Sequence, residues 1–397
     1  MWPISHPPEL SAPLLIAHDF AYQYGGAERV TQALGEAFPG SRVLVIGGAR
    51  PVLARMGVAD RATSVLPLGW SPRGYRYLAP LFPLLLAGCR ADVVVSSSYA
   101  FAHHVRARAL HVEYCHSPLR QVWVAQRPYE EAAGVLLRVG LKSFAGWLRE
   151  MDLRAVSRVD RLVASCENVR GRIKRVYGRD AAILYPPVRT DVFFDTGSAR
   201  EPDLCLVVAR LVEPYKAVGS LVRLFSRLPY RLVVVGDGRD AALIRGRAPR
   251  NVSFVGALAD DELRDWYSRA AALIFPGEDD FGLVPVEAMA CGTPVVALDA
   301  GGARETVLQA ETGVRFRPGQ LETALRVALE RDWDHEQIRR HAAQFGKERF
   351  IRAIRQLVFE HRGSPVSDSR AAIPQRPLTV ASPGRFAARG IGTVVRS

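Results

Sequence analysis

The chain has 397 residues, of which 48% are hydrophobic and 23% charged, so it is long enough and apolar enough for two globular domains. Its formal net charge of +13 comes mainly from arginines spread along the chain. These arginines form no block, and no zinc-finger, RRM-like or KH signature accompanies them, so nucleic acid is not expected as a partner. An anionic substrate or an anionic membrane surface explains the sign of the charge more simply.

Cysteine usage and hydropathy bear on the compartment. The five cysteines are Cys89, Cys115, Cys166, Cys205 and Cys291. They are odd in number and contain no CxxC pair, which predicts a reducing compartment and no structural metal. The N-terminus has prolines, His6 and Glu9 where a signal peptide needs an apolar core. The longest apolar run, residues 78–89, is too short to span a bilayer. We therefore expect a cytoplasmic protein, with peripheral contact to the inner membrane face as an open alternative.

The first predicted elements form a strand, a glycine turn and a helix. Residues 14–18 (LLIAH) predict a buried strand, and an amphipathic helix follows Gly25 and Gly26. A glycine pair at this place lets the backbone approach a ligand closely, at the positive end of the helix dipole. An ordinary strand-to-helix turn is the alternative, and the residues alone favour it.

Further strands are predicted at residues 42–46, 92–96 and 109–112. Residues 69–89 are aromatic and basic, so they either rest on lipid headgroups or form a helix packed on their own domain. His116 follows the third of these strands, where the chain must turn. A lone histidine is usually structural, but at the carboxyl end of a strand, in a chain already expected to bind a ligand, a functional role is equally well supported.

Beyond a long helix, residues 161–165 predict a strand and residues 167–177 a helix, and the polar residues 189–191 mark a linker. A second domain begins near residue 204. Its first strand leads to Arg210 and Lys216, two cations that bracket a loop and open a helix, as a diphosphate site requires. Two solvated surface cations are the alternative. The continuing alternation of strands and helices predicts a parallel α/β fold.

Three acids, Glu278, Asp279 and Asp280, follow a buried strand at residues 272–275 and precede a helix. Acids at the carboxyl end of such a strand form a ligand-binding crevice, in which carboxylates accept hydrogen bonds from sugar hydroxyls. A solvated loop that caps the helix is the alternative. The sequence GDGRDA at residues 236–241 mimics a dinucleotide fingerprint, but a tight turn is the better interpretation of one isolated match.

Two motifs resemble one family. The acid-x7-Glu pattern from Asp279 to Glu287, within EDDFGLVPVEAMACGTPVVA, resembles the signature of the family 4 retaining glycosyltransferases, although that family usually has Glu at the first position. The text YCHSPLR, which contains His116 and Arg120, resembles a mannosyltransferase-like branch. The resemblance extends over residues 14–317, with departures that include Ala217, where the family often has glycine.

The resemblance implies an α/β fold of the GT-B type, with two Rossmann-like lobes whose parallel sheets face a central cleft. Residues 1–190 would form the acceptor-side lobe and residues 191–345 the donor-side lobe. Residues 346–362 would form a closing helix, and residues 363–397 a disordered basic tail.

The resemblance also implies a site. The catalytic residues would be His116, Arg210, Lys216 and Asp279. The donor-binding residues would be Gly25, Gly26, Arg210, Lys216, Asp279, Phe281, Gly282, Leu283 and Glu287. Glu28 and Arg120 would lie on the acceptor or sugar side. Arg210 and Lys216 would bind the diphosphate, Asp279 the sugar hydroxyls, Glu287 the ribose, and His116 the sugar or its developing charge.

The implied reaction is the transfer of a hexose, mannose in particular, from GDP-mannose with retention, and it needs no metal and no cofactor. The acceptor would be a saccharide or a lipid-linked saccharide. A GT-B nucleotide-sugar epimerase stays open as an alternative, as does a non-catalytic protein that binds a nucleotide sugar or a membrane surface.

Overall fold

A seven-stranded parallel sheet forms the centre of the first lobe. The computed structural model describes residues 14–70, 75–123 and 135–359. The sheet order is β3-β2-β1-β4-β5-β6-β7. Its strands are β1 Leu14–Ala21, β2 Arg42–Gly48, β3 Ala62–Ser64, β4 Arg90–Ser98, β5 Arg106–Cys115, β6 Arg161–Ala164 and β7 Ala182–Ile183. Both faces are covered, since Ile16 contributes to the apolar core on one face and its neighbour Leu15 to the core on the other. This explains why the predicted strands are continuously apolar.

The helices of the first lobe are α1 Gly26–Ala37, α2 Arg50–Arg55, α3 Phe82–Ala87, α4 Arg120–Trp123, α5 Val135–Val156 and α6 Glu167–Tyr177. Short 3-10 turns cover Ala59–Arg61, Tyr75–Leu81 and Ala102–His104. The aromatic segment at residues 69–89 lies partly outside the described residues. In its described part, Phe82 and Leu86 are buried in the lobe, whereas Leu81 and Leu84 are exposed. None of the described helices is both long and apolar enough to cross a membrane.

A six-stranded parallel sheet, in the order β10-β9-β8-β11-β12-β13, forms the second lobe. Its strands are β8 Glu201–Val208, β9 Arg231–Val235, β10 Val252–Gly256, β11 Ala270–Phe275, β12 Val295–Leu298 and β13 Gly313–Phe316. Its helices are α7 Val218–Phe225, α8 Ala241–Arg245, α9 Asp260–Arg269, α10 Leu283–Ala290, α11 Ala303–Thr306, α12 Leu321–Glu330 and α13 His335–Ala343. The strand predicted at residues 272–275 begins earlier in the structure, at Ala270, because Ala270 pairs with Glu201 of β8.

The last described helix, α14 Lys347–Phe359, returns to the first lobe. Phe350, Ile354 and Val358 recur every four residues and are buried in the core of the first sheet. Val188 N–H donates to the Phe345 carbonyl at 2.9 Å, so the two chain segments that connect the lobes lie side by side. The predicted boundaries at residues 190 and 345 stay predictions, and the predicted tail at residues 363–397 lies outside the described residues.

A buried carboxylate fixes the turn that follows β4. Asp19, near the end of β1, is fully buried. Its two oxygens accept four backbone N–H groups, those of Tyr99, Ala100, Phe101 and Ala102, at 2.6–2.8 Å. One side chain of β1 therefore shapes the loop beyond the neighbouring strand.

We expect Asp19→Asn to lower the free energy of unfolding by about 2–4 kcal/mol, because an amide has one acceptor oxygen and places an N–H₂ group against backbone donors. Urea denaturation measures the loss. Asp92→Asn is the matched control, since Asp92 is 59% exposed and its ion pair with Arg108 spans 3.8 Å. Equal stability of the two variants would contradict this role of Asp19.

Candidate active site between the lobes

Two predicted site residues, Lys216 and Asp279, form an ion pair where β8 and β11 end. The Lys216 ammonium donates to both Asp279 oxygens, at 2.5 and 2.7 Å. Both side chains stay partly exposed, at 17% and 24%. Their loops can meet because residue 277 is glycine, at which a Cβ would lie 3.1 Å from the Lys216 Cα. The structure thus places the predicted phosphate cation beside the predicted sugar-binding acid.

Arg210 is exposed two residues beyond β8. The turn at residues 236–241, which resembles a dinucleotide fingerprint, packs against the loop that carries Arg210. Gly236 has a φ of +124°, and a Cβ there would lie 2.0 Å from the Ala209 carbonyl oxygen. Leu211 N–H also donates to the Asp237 carbonyl at 2.9 Å. Gly236 thus permits close backbone packing, in agreement with the tight-turn interpretation.

The acidic loop at residues 278–280 packs on a second glycine pair, Gly301 and Gly302, whose role was not apparent from the sequence. A Cβ at Gly301 would lie 2.2 Å from the Asp279 carbonyl oxygen, and one at Gly302 would lie 2.3 Å from the Phe281 Cα. Phe281, which was predicted to bind the donor, is 5% exposed and its ring is 5.5 Å from the Tyr185 ring. It therefore supports the loop from the core. Gly282 precedes α10 with a φ of +82°.

Asp280 joins the acidic loop to the first lobe. Its carboxylate pairs with Arg120 at the start of α4 and with Arg172 of α6, the latter at 2.5 Å. Its carbonyl accepts the Cys166 thiol at 2.8 Å. Arg120, which was predicted on the acceptor side, therefore contacts the donor-side loop. Sequence reasoning missed Arg172, because nothing in the pattern of α6 separates it from the other surface arginines.

The predicted ribose ligand Glu287 is 2% exposed and pairs with Arg29 of α1. The turn formed by Gly25 and Gly26 lies against α10, since a Cβ at Gly26 would lie 3.2 Å from a Leu283 methyl group. Glu28 accepts the Gly25 N–H at 2.9 Å and is itself buried, so it stabilises the turn. The structure brings this predicted set together across the two lobes.

Glu305 lies in the short helix α11. It acts on a helix of the opposite lobe, where it accepts the N–H groups of Glu167 and Asn168 at 2.9 and 3.3 Å. A carboxylate at the first turn of α6 favours that helix, because the free N–H groups there carry partial positive charge.

His116 follows β5, and its Nε2 lies 2.9 Å from the Ser97 hydroxyl. Burial, together with the nearby His18 and Arg120, lowers the pKa of His116 to about 3. The imidazole is therefore neutral near pH 7, so it can exchange hydrogen bonds with a sugar but supplies no positive charge.

Two family descriptions match the chain. "Glycosyltransferase Family 4" matches residues 24–192, and "Glycosyl transferases group 1" matches residues 202–332. The two matches fall one on each lobe. The chain belongs to glycosyltransferase family 4.

Curated relatives of this family 4 chain act on different substrates. The "GDP-mannose-dependent alpha-mannosyltransferase" of Mycolicibacterium smegmatis is 34% identical over 201 residues, which are 48% of this chain and 52% of that protein. The "D-inositol 3-phosphate glycosyltransferase 2" of Catenulispora acidiphila is 33% identical over 234 residues, which are 49% of this chain and 54% of that protein. The chain spans about half the length of these curated relatives.

Solved structures confirm the fold. Anabaena Alr3699/HepE in complex with UDP matches with a TM-score of 0.65 at 17% identity, over 87% of this chain and 99% of that one. Sucrose-phosphate synthase from Thermosynechococcus elongatus matches with a TM-score of 0.65 at 20% identity, over 88% and 98% of the two chains. The predicted GT-B architecture is therefore correct, as is the predicted family.

A buried polar cluster lies in the first lobe of this family 4 chain. His103, His104 and Asp152 bring three metal-ligating atoms within 4.8 Å of one another. Asp152, however, already accepts hydrogen bonds from Trp123 at 2.8 Å and Tyr177 at 2.9 Å, and its other oxygen lies 2.9 Å from His103 Nε2. These contacts account for the cluster as a buried ion pair.

The cluster predicts a pH-dependent stability. Burial alone would lower the pKa of His103, but the Glu113 and Asp152 carboxylates raise it to about 9, from an ordinary value of 6.5. The protonated form is therefore favoured in the fold, and its stabilisation is lost as the pH rises from 6.5 through 9. Burial raises the pKa of Glu113 to about 7, from 4.5, so its contribution likewise falls with rising pH, between 4.5 and 7.

We expect the free energy of unfolding to fall by on the order of 1–3 kcal/mol between pH 7 and pH 9 because of His103. Urea denaturation at both pH values measures it. His103→Gln is the comparison, since it removes the titrating group. The variant should be less stable at pH 7 and should lose less stability toward pH 9. A parallel decline in both proteins would contradict the assignment.

Ala217, one of the departures from the family pattern, has a φ of +54° just before α7. This left-handed conformation costs an alanine about 1–2 kcal/mol, whereas glycine adopts it freely. We expect Ala217→Gly to raise the free energy of unfolding by about 0.5–1 kcal/mol after the greater entropy of the unfolded glycine chain is subtracted. Gly40→Ala, at a site with open space, is a control with a small expected effect. Destabilisation by Ala217→Gly would show that the left-handed conformation carries no such cost.

Proposed function

We propose that the protein transfers a hexose, mannose in particular, from GDP-mannose to a saccharide or lipid-linked saccharide with retention of configuration. The observation that carries the proposal is the Lys216–Asp279 pair at the ends of β8 and β11. A phosphate-binding cation beside a sugar-binding carboxylate is what a nucleotide diphosphate sugar requires. The mannosyltransferase relative supports GDP-mannose as the donor.

In this proposal, negative charge grows on the departing diphosphate while the sugar becomes oxocarbenium-like. Fixed cations close to the leaving group stabilise that transition state. An ammonium group has three N–H donors, of which the Asp279 oxygens at 2.5 and 2.7 Å engage two. Lys216 is thus held in place with a third donor for a phosphate oxygen, and the exposed Arg210 supplies a second cation.

Asp279 would accept sugar hydroxyls while it holds Lys216, and the backbone N–H groups at the Gly25–Gly26 turn would approach the diphosphate at the start of α1. His116, which is neutral because its pKa is lowered, would hydrogen-bond the sugar. A lipid-linked acceptor would bring the enzyme to an anionic membrane surface, which the net charge of +13 suits.

We expect GDP-mannose to raise the melting temperature in a screen that includes UDP-glucose, UDP-N-acetylglucosamine, GDP and UDP, because a ligand that binds only the folded state stabilises it. Lys216→Ala should abolish the shift and lower sugar transfer roughly 100- to 1,000-fold. Lys174→Ala, which removes an exposed lysine of α6, should change neither result. Sugar transfer that persists unchanged in Lys216→Ala would overturn the proposal. Conversion of the donor to another nucleotide sugar without any acceptor would indicate an epimerase.

A further inference from the structure

Both oxygens of the Glu287 carboxylate are already engaged by protein groups. Oε1 pairs with the Arg29 guanidinium of the opposite lobe. Oε2 accepts the Tyr267 hydroxyl at 3.3 Å, and Tyr267 is fully buried within its own lobe. Glu287 itself is only 2% exposed. The carboxylate has further lone pairs, but at this exposure they are covered by protein, so a ligand gains access only by displacing a neighbour. Of the two partners, Arg29 is the one that belongs to the other lobe.

Arg29 is charged and lies in a partly buried position. It is in the first turn of α1, and its side chain is 17% exposed. Burial alone would lower the pKa of Arg29, but Glu287 raises it, so the guanidinium stays charged. Tyr24, whose ring centroid is 6.0 Å from the guanidinium carbon, lies on the same side of the first lobe. The Arg55 guanidinium lies closer to the same ring, at 4.2 Å from its centroid.

We infer that Arg29 occupies the ribose-binding position of Glu287 and exchanges with the nucleotide during donor binding. This inference rests on the proposed function, in which Glu287 binds ribose. The exchange is chemically matched, since guanidinium N–H donors are replaced on the carboxylate by ribose hydroxyl donors. It also separates α1 from α10, because the Arg29–Glu287 pair joins these two helices.

The exchange has a thermodynamic consequence. Only molecules whose Arg29–Glu287 pair is open can bind the nucleotide, and apparent affinity falls in proportion to the open fraction. Removal of the guanidinium should therefore tighten nucleotide binding. A residue that merely contacted the donor would have the opposite effect, since its removal would weaken binding.

The test measures the Kd of GDP and of UDP by isothermal titration calorimetry for the wild type, Arg29→Met and Arg29→Gln. We expect both variants to bind the preferred nucleotide roughly five-fold or more tightly than the wild type. Arg29→Gln guards against poor folding of Arg29→Met, since its neutral amide can still hydrogen-bond Glu287. Arg108→Met is the matched control, since Arg108 forms a 3.8 Å pair with Asp92 within the first lobe and is 65% exposed.

Glu287→Gln separates the inference from the proposed function. It should weaken nucleotide binding, and Arg29→Met should have no further tightening effect in that background, because the pair no longer exists. Weaker or unchanged binding in the Arg29 variants, with Arg108→Met at the wild-type value, would overturn the exchange. Nucleotide binding that Glu287→Gln leaves unchanged would remove the ribose role from Glu287. Absence of GDP and UDP binding to the wild type would contradict the proposed donor.

Discussion

Compensation of the buried and partly buried carboxylates between the lobes is the constraint on which the arrangement of the two lobes depends. An ionised carboxylate that is removed from water needs a cation or several N–H donors. In the second lobe, Asp280 and Glu287 meet arginines of the first lobe, and Glu305 meets backbone N–H groups of α6. Since each contact joins an acid of one lobe to donors of the other, these contacts together fix the relative position of the two lobes.

The fold was predictable because its signals are local. Apolar runs, turn residues and the alternation of strands with helices specify parallel sheets without knowledge of distant contacts. The proximity of Lys216 and Asp279 was also predictable, since the carboxyl ends of adjacent parallel strands meet at one edge of a sheet. The contact of Arg29 with Glu287 was not predictable, because the two residues are 258 positions apart in the sequence. Likewise, Phe281 and Arg120 lie in predicted motifs, yet their packing partners depend on how the lobes meet.

Glycines determine how closely the loops of the site approach one another. Gly277 and Gly301 bring neighbouring backbones to distances at which a Cβ would overlap another residue. In the sequence they look like ordinary turn residues, and Gly236 even belongs to a run that mimics a dinucleotide fingerprint. Their shared effect is to stack the loops that carry Arg210, Lys216 and Asp279 on the same edge of the second sheet.

The return of α14 makes the first lobe discontinuous in sequence. Its core is completed by Phe350 and Ile354, which follow the entire second lobe. A chain cut near residue 190 would therefore lack part of its own core and expose an apolar face. Val188 and Phe345 bring the two connections side by side, so the lobes are joined by two hydrogen-bonded segments rather than by one. Two segments that are bonded to each other restrict the twisting of one lobe against the other more than a single segment would.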